Sequence, residues 1–524
     1  MNQPKSPPSI FNDVIGPVMR GPSSSHCAAS VRIGQMARAL MDENIDHILI
    51  EFDPNGSLAT THESQGSDMG LFGGLLGWNA DDDRLEHSAN GLRDAGIEVE
   101  VRITSYGATH PNTYKLTLSN SNERREMTAL STGGGMIEVI AIDGAQVSMD
   151  GGCHETLLYV KDGIEKANEF IAGQDGASVV HVHDRGDESL IEIQSPRRLE
   201  ASHYATLQEN LNMEAVKKLP PVLPVQSFGN PDVPFLTCNE MLRYNADRNL
   251  PLWELAIHYE SARADISPED VLEKMCAIIR IMRKSIEQGI AGTEYADRIL
   301  GCQSKNYQAK MDEGILLGGD MVNRMLLNVT AIMEVKSSMG VIVAAPTAGA
   351  CAALPGACIA VADALGASEE DAAKAMLAAA MVGVFIAAHA TFAAEVGGCQ
   401  AEGGSASGMA AAALVTLAGG TTRQATSAAS MALQNCMGMV CDPVANRVEV
   451  PCLGRNLIAS MNAVSSANVA LSDFDCVIPL DEVIETMDRV GRAMPCELRC
   501  TALGGLSITK TSKEIEERLA LQKG

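Results

Sequence analysis

The chain has 524 residues with 40 Lys and Arg against 66 Asp and Glu, a formal charge of −26; such a field repels nucleic-acid backbones and anionic lipid, so a small molecule is the expected partner. Hydrophobic residues make up 46%, aromatics only 4%, and there are 47 glycines, a globular composition for two or three domains with cores of closely packed small-residue helices. Met1 to Ile10 is polar and Pro-rich and lacks the order of a secretory signal, so the expected compartment is the cytoplasm, where the fourteen cysteines are expected as metal ligands or buried thiols, not disulfides.

Residues 1–150 alternate between two periods. Ser30 to Met41 has helical spacing, whereas His47 to Phe52, Val99 to Ile103 and Tyr114 to Leu118 read as strands. Residues 151–218 follow as a small βαββ unit: strand Leu157 to Val160, helix Gly163 to Ile171, and strands Ser178 to His183 and Ser189 to Gln194. A proline-studded linker occupies 219–235. From 236 to 524, Ala, Met and Leu stretches such as Ser267 to Gln288, Ala372 to Ala388, Ser407 to Ala418 and Ser427 to Met437 predict a mostly helical domain. The apolar run Met376 to Phe392 is broken by His389 and is expected to be a buried helix, since a membrane span needs about 20 apolar residues. The fold class is therefore α+β.

Twelve of the fourteen cysteines lie from Cys238 onward, and none forms a CxxC pair, which argues against zinc ribbons, ferredoxin-type runs and thioredoxin chemistry. Cys436 and Cys441 have ferredoxin-like spacing, but Val444 stands where the next cysteine is needed. Three others sit at turn-forming places beside polar residues: Gly398-Cys399-Gln400-Ala401-Glu402, Cys441-Asp442-Pro443 and Pro451-Cys452. Three thiolates would hold three irons of a cubane and leave the fourth open as a Lewis acid. Spacing alone leaves a second reading open, in which all fourteen are small buried hydrophobes; Cys351, Cys358 and Cys436, set in apolar helical text, are expected in the core.

At these residues the chain resembles the iron–sulfur-dependent L-serine dehydratases, over nearly its whole length. The second half carries Val343-Ala344-Ala345-Pro346-Thr347-Ala348-Gly349, the three cysteine blocks, Arg455-Asn456 and Gly504-Gly505-Leu506. The first half carries Ile15-Gly16-Pro17, Gly21-Pro22-Ser23-Ser24-Ser25-His26, His110-Pro111-Asn112-Thr113 and Gly133-Gly134-Gly135, so a β-type domain is fused ahead of the α domain, and the βαββ unit stands where some relatives carry an ACT-like module.

The resemblance implies a [4Fe-4S] cluster on Cys399, Cys441 and Cys452, no pyridoxal phosphate, and conversion of L-serine to pyruvate and ammonia. The chain has no lysine in the serine-flanked, glycine-followed setting of a Schiff-base residue. Ser23, Ser24 and Ser25, at a helix start, and Asn112 are candidate donors to the substrate carboxylate, or an ordinary cap and turn. Relatives have Gly-His-Gly-Thr-Asp where this chain has Ser64-Gln65-Gly66-Ser67-Asp68. Gln65 therefore replaces a family histidine, and His62 or His26 is the candidate substitute for proton handling. Arg447 follows Cys441 where relatives favour glycine; it is a candidate contact to carboxylate or sulfur, or a solvent-facing residue. Cys500 stands where an acidic residue is common. The expected assembly is a homodimer. Two rivals remain: the same cluster acting on L-cysteine, L-threonine or a larger β-hydroxy amino acid, and a non-catalytic iron–sulfur or amino-acid sensor.

Overall fold

The computed structural model describes residues 6–161, 165, 179–186, 188–200, 207, 209–229 and 231–521. After a short N-terminal turn come β1 (Val18–Met19), α1 (Ala29–Leu40), β2 (His47–Phe52), α2 (Ser67–Leu75), β3 (Glu98–Ile103), β4 (Thr113–Ser119), β5 (Arg124–Gly133), β6 (Met136–Ile142) and β7 (Ala145–Met149). Strands β2 to β7 form a six-stranded sheet of order β3-β2-β4-β5-β6-β7, parallel between β2 and β3 and antiparallel elsewhere. In β2 the inward set Ile48, Ile50 and Phe52 alternates with a less buried set, the two-residue period of a half-buried strand. That face packs against Ile33, Met36 and Leu40 of α1. Helices α1 and α2 cross at Gly34 and Gly74: a Cβ on Gly74 would lie 2.1 Å from the Val31 carbonyl oxygen, so only glycine allows this approach.

A second, four-stranded antiparallel sheet has the order β11-β8-β10-β9 and contains β8 (His154–Val160), β9 (Val179–Asp184), β10 (Ser189–Ser195) and β11 (Met213–Leu219). The expected helix at Gly163 to Ile171 lies outside the described residues. The central strand β8 turns Leu157 and Tyr159 into the first core and Leu158 and Val160 into a smaller one. Two carboxylates, Glu155 and Glu192, are also buried here, and Glu155 Oε2 has no hydrogen-bond partner among the described residues. Burial, reinforced by the neighbouring Glu192, holds the Glu155 carboxyl well above the usual range. The unfolded chain loses this proton near pH 4.3 while the folded protein keeps it. Stability contributed at this site is therefore present at low pH and falls by up to about 1.4 kcal/mol per pH unit as pH rises towards the folded value. Glu155→Gln is expected to raise the melting temperature at pH 8 and change it little at pH 4.5, as measured by calorimetry.

The remaining chain is helical around β12 (Ile342–Val343), with α3 (Pro268–Ala291), α4 (Gly319–Lys336), α5 (Ala353–Leu365), α6 (Glu369–His389), α7 (Ser405–Leu417), α8 (Thr422–Cys436), α9 (Cys452–Leu471), α10 (Leu480–Ala493) and α11 (Lys510–Leu521). Helix α6 starts on a capping box between Ser368 and Asp371, which satisfies the free N–H groups of its first turn. Its interior, from Ala372 to Ile386, is almost wholly buried among neighbouring helices. Two segments, Ala348–Leu365 and Glu369–His389, are long and apolar enough to cross a membrane, yet each is 78% buried within the fold, as core helices are.

The two halves are stitched together by the N-terminal segment. Strand β1 pairs with β12. Ser9 Oγ donates to Glu260 Oε1 at 2.6 Å, and Val14 packs so closely on α6 that a Cβ on Gly383 would lie 2.1 Å from its side chain. Ile10, Phe11, Val14 and Ile15 thus belong to the core of the helical half. The turn Gly133-Gly134-Gly135 between β5 and β6 also crosses the boundary: Gly133 has φ +111°, and a Cβ there would lie 2.9 Å from the Ala393 nitrogen.

Candidate functional site

Cys399 follows Gly398, which has φ +72° and sits where a Cβ would come within 2.9 Å of the Met439 carbonyl oxygen. This turn separates the short helix Ala394–Gly397 from the helical turn that leads into α7. Cys441 is fixed by its backbone: its N–H donates to Leu498 O at 2.8 Å, and its carbonyl accepts from Cys500 N at 2.9 Å. Cys452 is the first residue of α9. All three are buried, each 4% exposed.

The surrounding motif residues lock these turns together. Asp442 accepts from Arg455 Nη2 at 2.6 Å and from Leu506 N at 2.8 Å, and a side chain on Gly505 would strike its carboxylate at 2.4 Å; the Gly504-Gly505-Leu506 block is thus shaped around Asp442. Asn456 donates to Cys452 O and Gly349 O and accepts from the Ala352 and Ala353 N–H groups at the start of α5. Thr347 Oγ1 donates to Glu402 Oε1 at 2.7 Å, and burial pushes the Glu402 carboxyl up to about 7.

Arg455 acts electrostatically on both Cys399 and Cys452, and its Nη1 has no hydrogen-bond partner among the described residues. Burial raises the Cys399 thiol and pushes that of Cys452 up to about 12; a hydrogen bond with Cys500, together with burial, raises Cys441. Buried thiols that act on one another are disfavoured as bare anions, and a positively charged metal group would supply the missing compensation. With a guanidinium beside them that has donor capacity to spare for sulfur, these residues fit an iron–sulfur cluster.

The other half reaches this place through Ser23 to His26, which opens the helical turn leading into α1. Ser24 Oγ accepts from Ala348 N at 3.1 Å, and Ser25 Oγ donates to Glu395 Oε1 at 2.7 Å, so the loop closes on the helical half through side chains of the serine motif. His26 is fully buried. Its Nε2 lies 2.8 Å from Thr61 Oγ1, whose own proton goes to Ser57 O; Nε2 therefore carries the hydrogen. Nδ1 is left as an acceptor, 3.0 Å from Ser23 Oγ and 3.1 Å from Ser25 Oγ. Burial lowers the basicity of this ring below that of a free histidine, against the opposing pull of Glu395.

Gln65 lies one helical turn after Thr61, with Gln65 N donating to Thr61 O, and its Nε2 donates to Cys500 Sγ at 3.4 Å. His62 points elsewhere: its Nδ1 is 2.8 Å from Asp68 Oδ2, and it lines a cavity with Glu63, Ser64, Asn446 and Arg447. Of the two candidate substitutes for the family histidine, His26 lies in the buried network joined to Glu395, and His62 at the rim. Asn112 is fully buried, and neither Oδ1 nor Nδ2 has a hydrogen-bond partner among the described residues. Arg447 is paired with Asp297 at 2.6 Å and borders a cavity of about 460 Å³ with Pro22, Gly66, Lys336 and Glu449. A larger cavity, about 950 Å³, lies between α1, β8 and the proline-rich segment and holds none of the cysteines. Sequence reasoning did not place Glu395, Glu402 or Arg455 at the site. Arg455 and Glu402 stood inside quoted motifs, but Glu395 carries no local signal.

The profile of the family described as "Serine dehydratase alpha chain" matches residues 247–507. A probable L-serine dehydratase alpha chain from Bacillus subtilis (strain 168) is 35% identical over 285 residues, 54% of this chain and 95% of the relative. This chain belongs to that family. The L-serine dehydratase alpha chain of Peptoniphilus asaccharolyticus is similar at 36% identity over 281 residues, 53% of this chain and 96% of the relative. A separate polypeptide, the probable L-serine dehydratase beta chain of Bacillus subtilis (strain 168), is 39% identical over 152 residues, 29% of this chain and 67% of its own length. Regions similar to an alpha and to a beta chain are thus joined in one polypeptide.

Proposed function

We propose that this chain is a lyase that converts L-serine to pyruvate and ammonia, with a [4Fe-4S] cluster held by Cys399, Cys441 and Cys452. The observation that carries this reading is the meeting of these three buried thiols and Arg455 with elements of the other half, where Gln65 abuts the thiol group and the Ser23–His26 loop closes onto Glu395. When bound, a cluster with three protein thiolates supplies a Lewis acid that weakens the bond between the substrate β-carbon and its hydroxyl.

The protein's own groups account for the rest. Backbone N–H groups at the helical start Ser23–Ser25 and the unpartnered Asn112 amide offer donors for the substrate carboxylate. His26 takes the Cα proton at Nδ1, the nitrogen that carries no hydrogen and is flanked by the Ser23 and Ser25 hydroxyls at 3.0 and 3.1 Å. Loss of that proton and of the β-hydroxyl leaves an enamine, which tautomerises to an imine and is hydrolysed to the 2-oxo acid and ammonia. One water leaves and one is consumed. Close packing of the two halves keeps bulk solvent out while charge develops.

An anaerobic assay of reconstituted protein with L-serine, L-threonine and L-cysteine, measuring 2-oxo acid, ammonia and sulfide, tests the reading. Turnover of L-serine is expected. Turnover of L-cysteine alone would make the chain a desulfidase, and a full cluster with no turnover would make it a sensor.

A further inference from the structure

Lys336, the last residue of α4, is 1% exposed and is one of the largest fully buried side chains. A lysine at a helix C-terminus is ordinary, but this one donates from Nζ to Val448 O, in a distant segment, and not to its own last turn. An ammonium has three donors, and among the described residues Lys336 makes no other hydrogen bond and no ion pair. Two carboxylates on the same cavity are committed elsewhere: Glu449 accepts from Ile299 N and Leu300 N, and Asp297 from Arg447 Nε and Nη2. A desolvated charge without a partner is costly, and a ligand of opposite charge relieves it.

The cavity is the one of about 460 Å³ between the two halves. Pro22 and Gly66, on one wall, are the chain neighbours of Ser23 and Gln65, and Val448, on the other, stands shortly before Cys452. It therefore adjoins the thiol group, in keeping with the electrostatic action of Lys336 on Cys452. Arg447 brings a second buried cation. Glu63 and Glu86 also border the cavity but are exposed, so water screens them as it does not screen the cations. In a chain of net charge −26, two buried cations beside the site give negative charge a local place to bind. Asp68 Oδ1, on the same cavity and without a hydrogen-bond partner among the described residues, suits an ammonium. The α-carboxylate already has its donors at Ser23–Ser25 and Asn112, so L-serine has no group to offer Lys336.

We propose that the site takes β-hydroxy amino acids with a second carboxylate on the β-carbon, of which 3-hydroxy-L-aspartate is the simplest, and that Lys336 and Arg447 bind that carboxylate. This rests on the lyase reading made above and names its preferred substrate class. The bonds change as for L-serine: the Cα proton and the β-hydroxyl leave, the enamine tautomerises to an imine, and hydrolysis gives a four-carbon 2-oxo dicarboxylate and ammonia. One water is released, one is consumed, and no electrons change hands. L-Serine has only hydrogen where the second carboxylate would lie. It leaves the Lys336 ammonium unmatched and is the poorer substrate.

The test begins with binding, measured by calorimetry on the anaerobically reconstituted full chain with L-aspartate and L-alanine, neither of which has a hydroxyl to lose. L-Aspartate is expected to bind about tenfold or more the tighter. In turnover, kcat/KM for 3-hydroxy-L-aspartate should exceed that for L-serine by a similar factor, and Lys336→Met should lower this ratio about 100-fold. Equal losses on both substrates in that variant would assign the lysine to the thiol group instead and overturn the proposal. Wild-type protein that binds L-aspartate no more tightly than L-alanine would also overturn it, and decides the matter even if the variant does not fold. Failure of the underlying reading has a different signature: protein that binds L-aspartate, loses that binding in Lys336→Met, and turns over neither hydroxy amino acid.

Discussion

Replacing Cys399, Cys441 or Cys452 by alanine is expected to abolish both the visible absorbance of the reconstituted cluster and detectable 2-oxo acid production, while Cys358→Ala keeps both. The four residues are alike in burial and differ in surroundings. Cys358 lies in apolar helix, where alanine removes one sulfur's packing at about 1–2 kcal/mol. The three site thiols act electrostatically on one another and on the guanidinium of Arg455, so under the proposed ligation removing one would withdraw an anionic ligand from a cation with no neutral side chain able to replace it. Iron and sulfide analysis with circular dichroism separates ligand loss from unfolding. Full iron content in all three variants would refute the assignment.

How much of this could be read from the sequence depended on whether the signal was local. Strand β2 and helix α1 follow their hydrophobic periods because each has one face on the core and one outward. Strand β5 escaped notice although its burial alternates just as regularly. Its inward set runs Met127, Ala129, Ser131 and Gly133, and the later members are small because they approach the helical half, so the hydrophobic alternation fades where it would be sought. Strand β11 was hidden for another reason: Lys217 lies on it, buried and paired with Asp42 and Glu123, and a buried lysine reads as loop in any hydropathy pattern.

At the site, the three cysteines lie on well-separated turns, and no spacing rule links them. The motif glycines and Asp442 were legible as text, but their purpose, close backbone approach around one carboxylate, is a property of the fold. The same holds for the departures at Gln65 and Cys500. Each stood out by itself in the sequence, and only the structure puts one in contact with the other across 435 residues. Glu395 could not have been found at all. It is an ordinary acidic residue in a short helix until Ser25 is placed 2.7 Å away.

His26→Asn is expected to lower kcat by about 10²–10⁴-fold with the cluster intact and KM for L-serine changed little. The tautomer follows from the donor chain: Thr61 gives its proton to Ser57 O, so it must accept from Nε2, and Nδ1 is the basic atom. Asparagine is small enough to fit the cavity, but its amide has no basic nitrogen. Because burial lowers the His26 value below 6.5, the ring is neutral and able to accept a proton at pH 7. The acid limb of kcat/KM should therefore fall below pH 6.5, with activity lost as pH drops through it and the ring becomes charged. In the asparagine variant the residual rate should lack this limb. A variant with wild-type kcat, or one that loses rate yet keeps the limb unmoved, would assign the proton transfer to another group. His62 would be the next candidate: although burial opposes its charge, its partner Asp68 raises its value, so an acid limb governed by His62 would sit above 6.5, on the opposite side from that of His26.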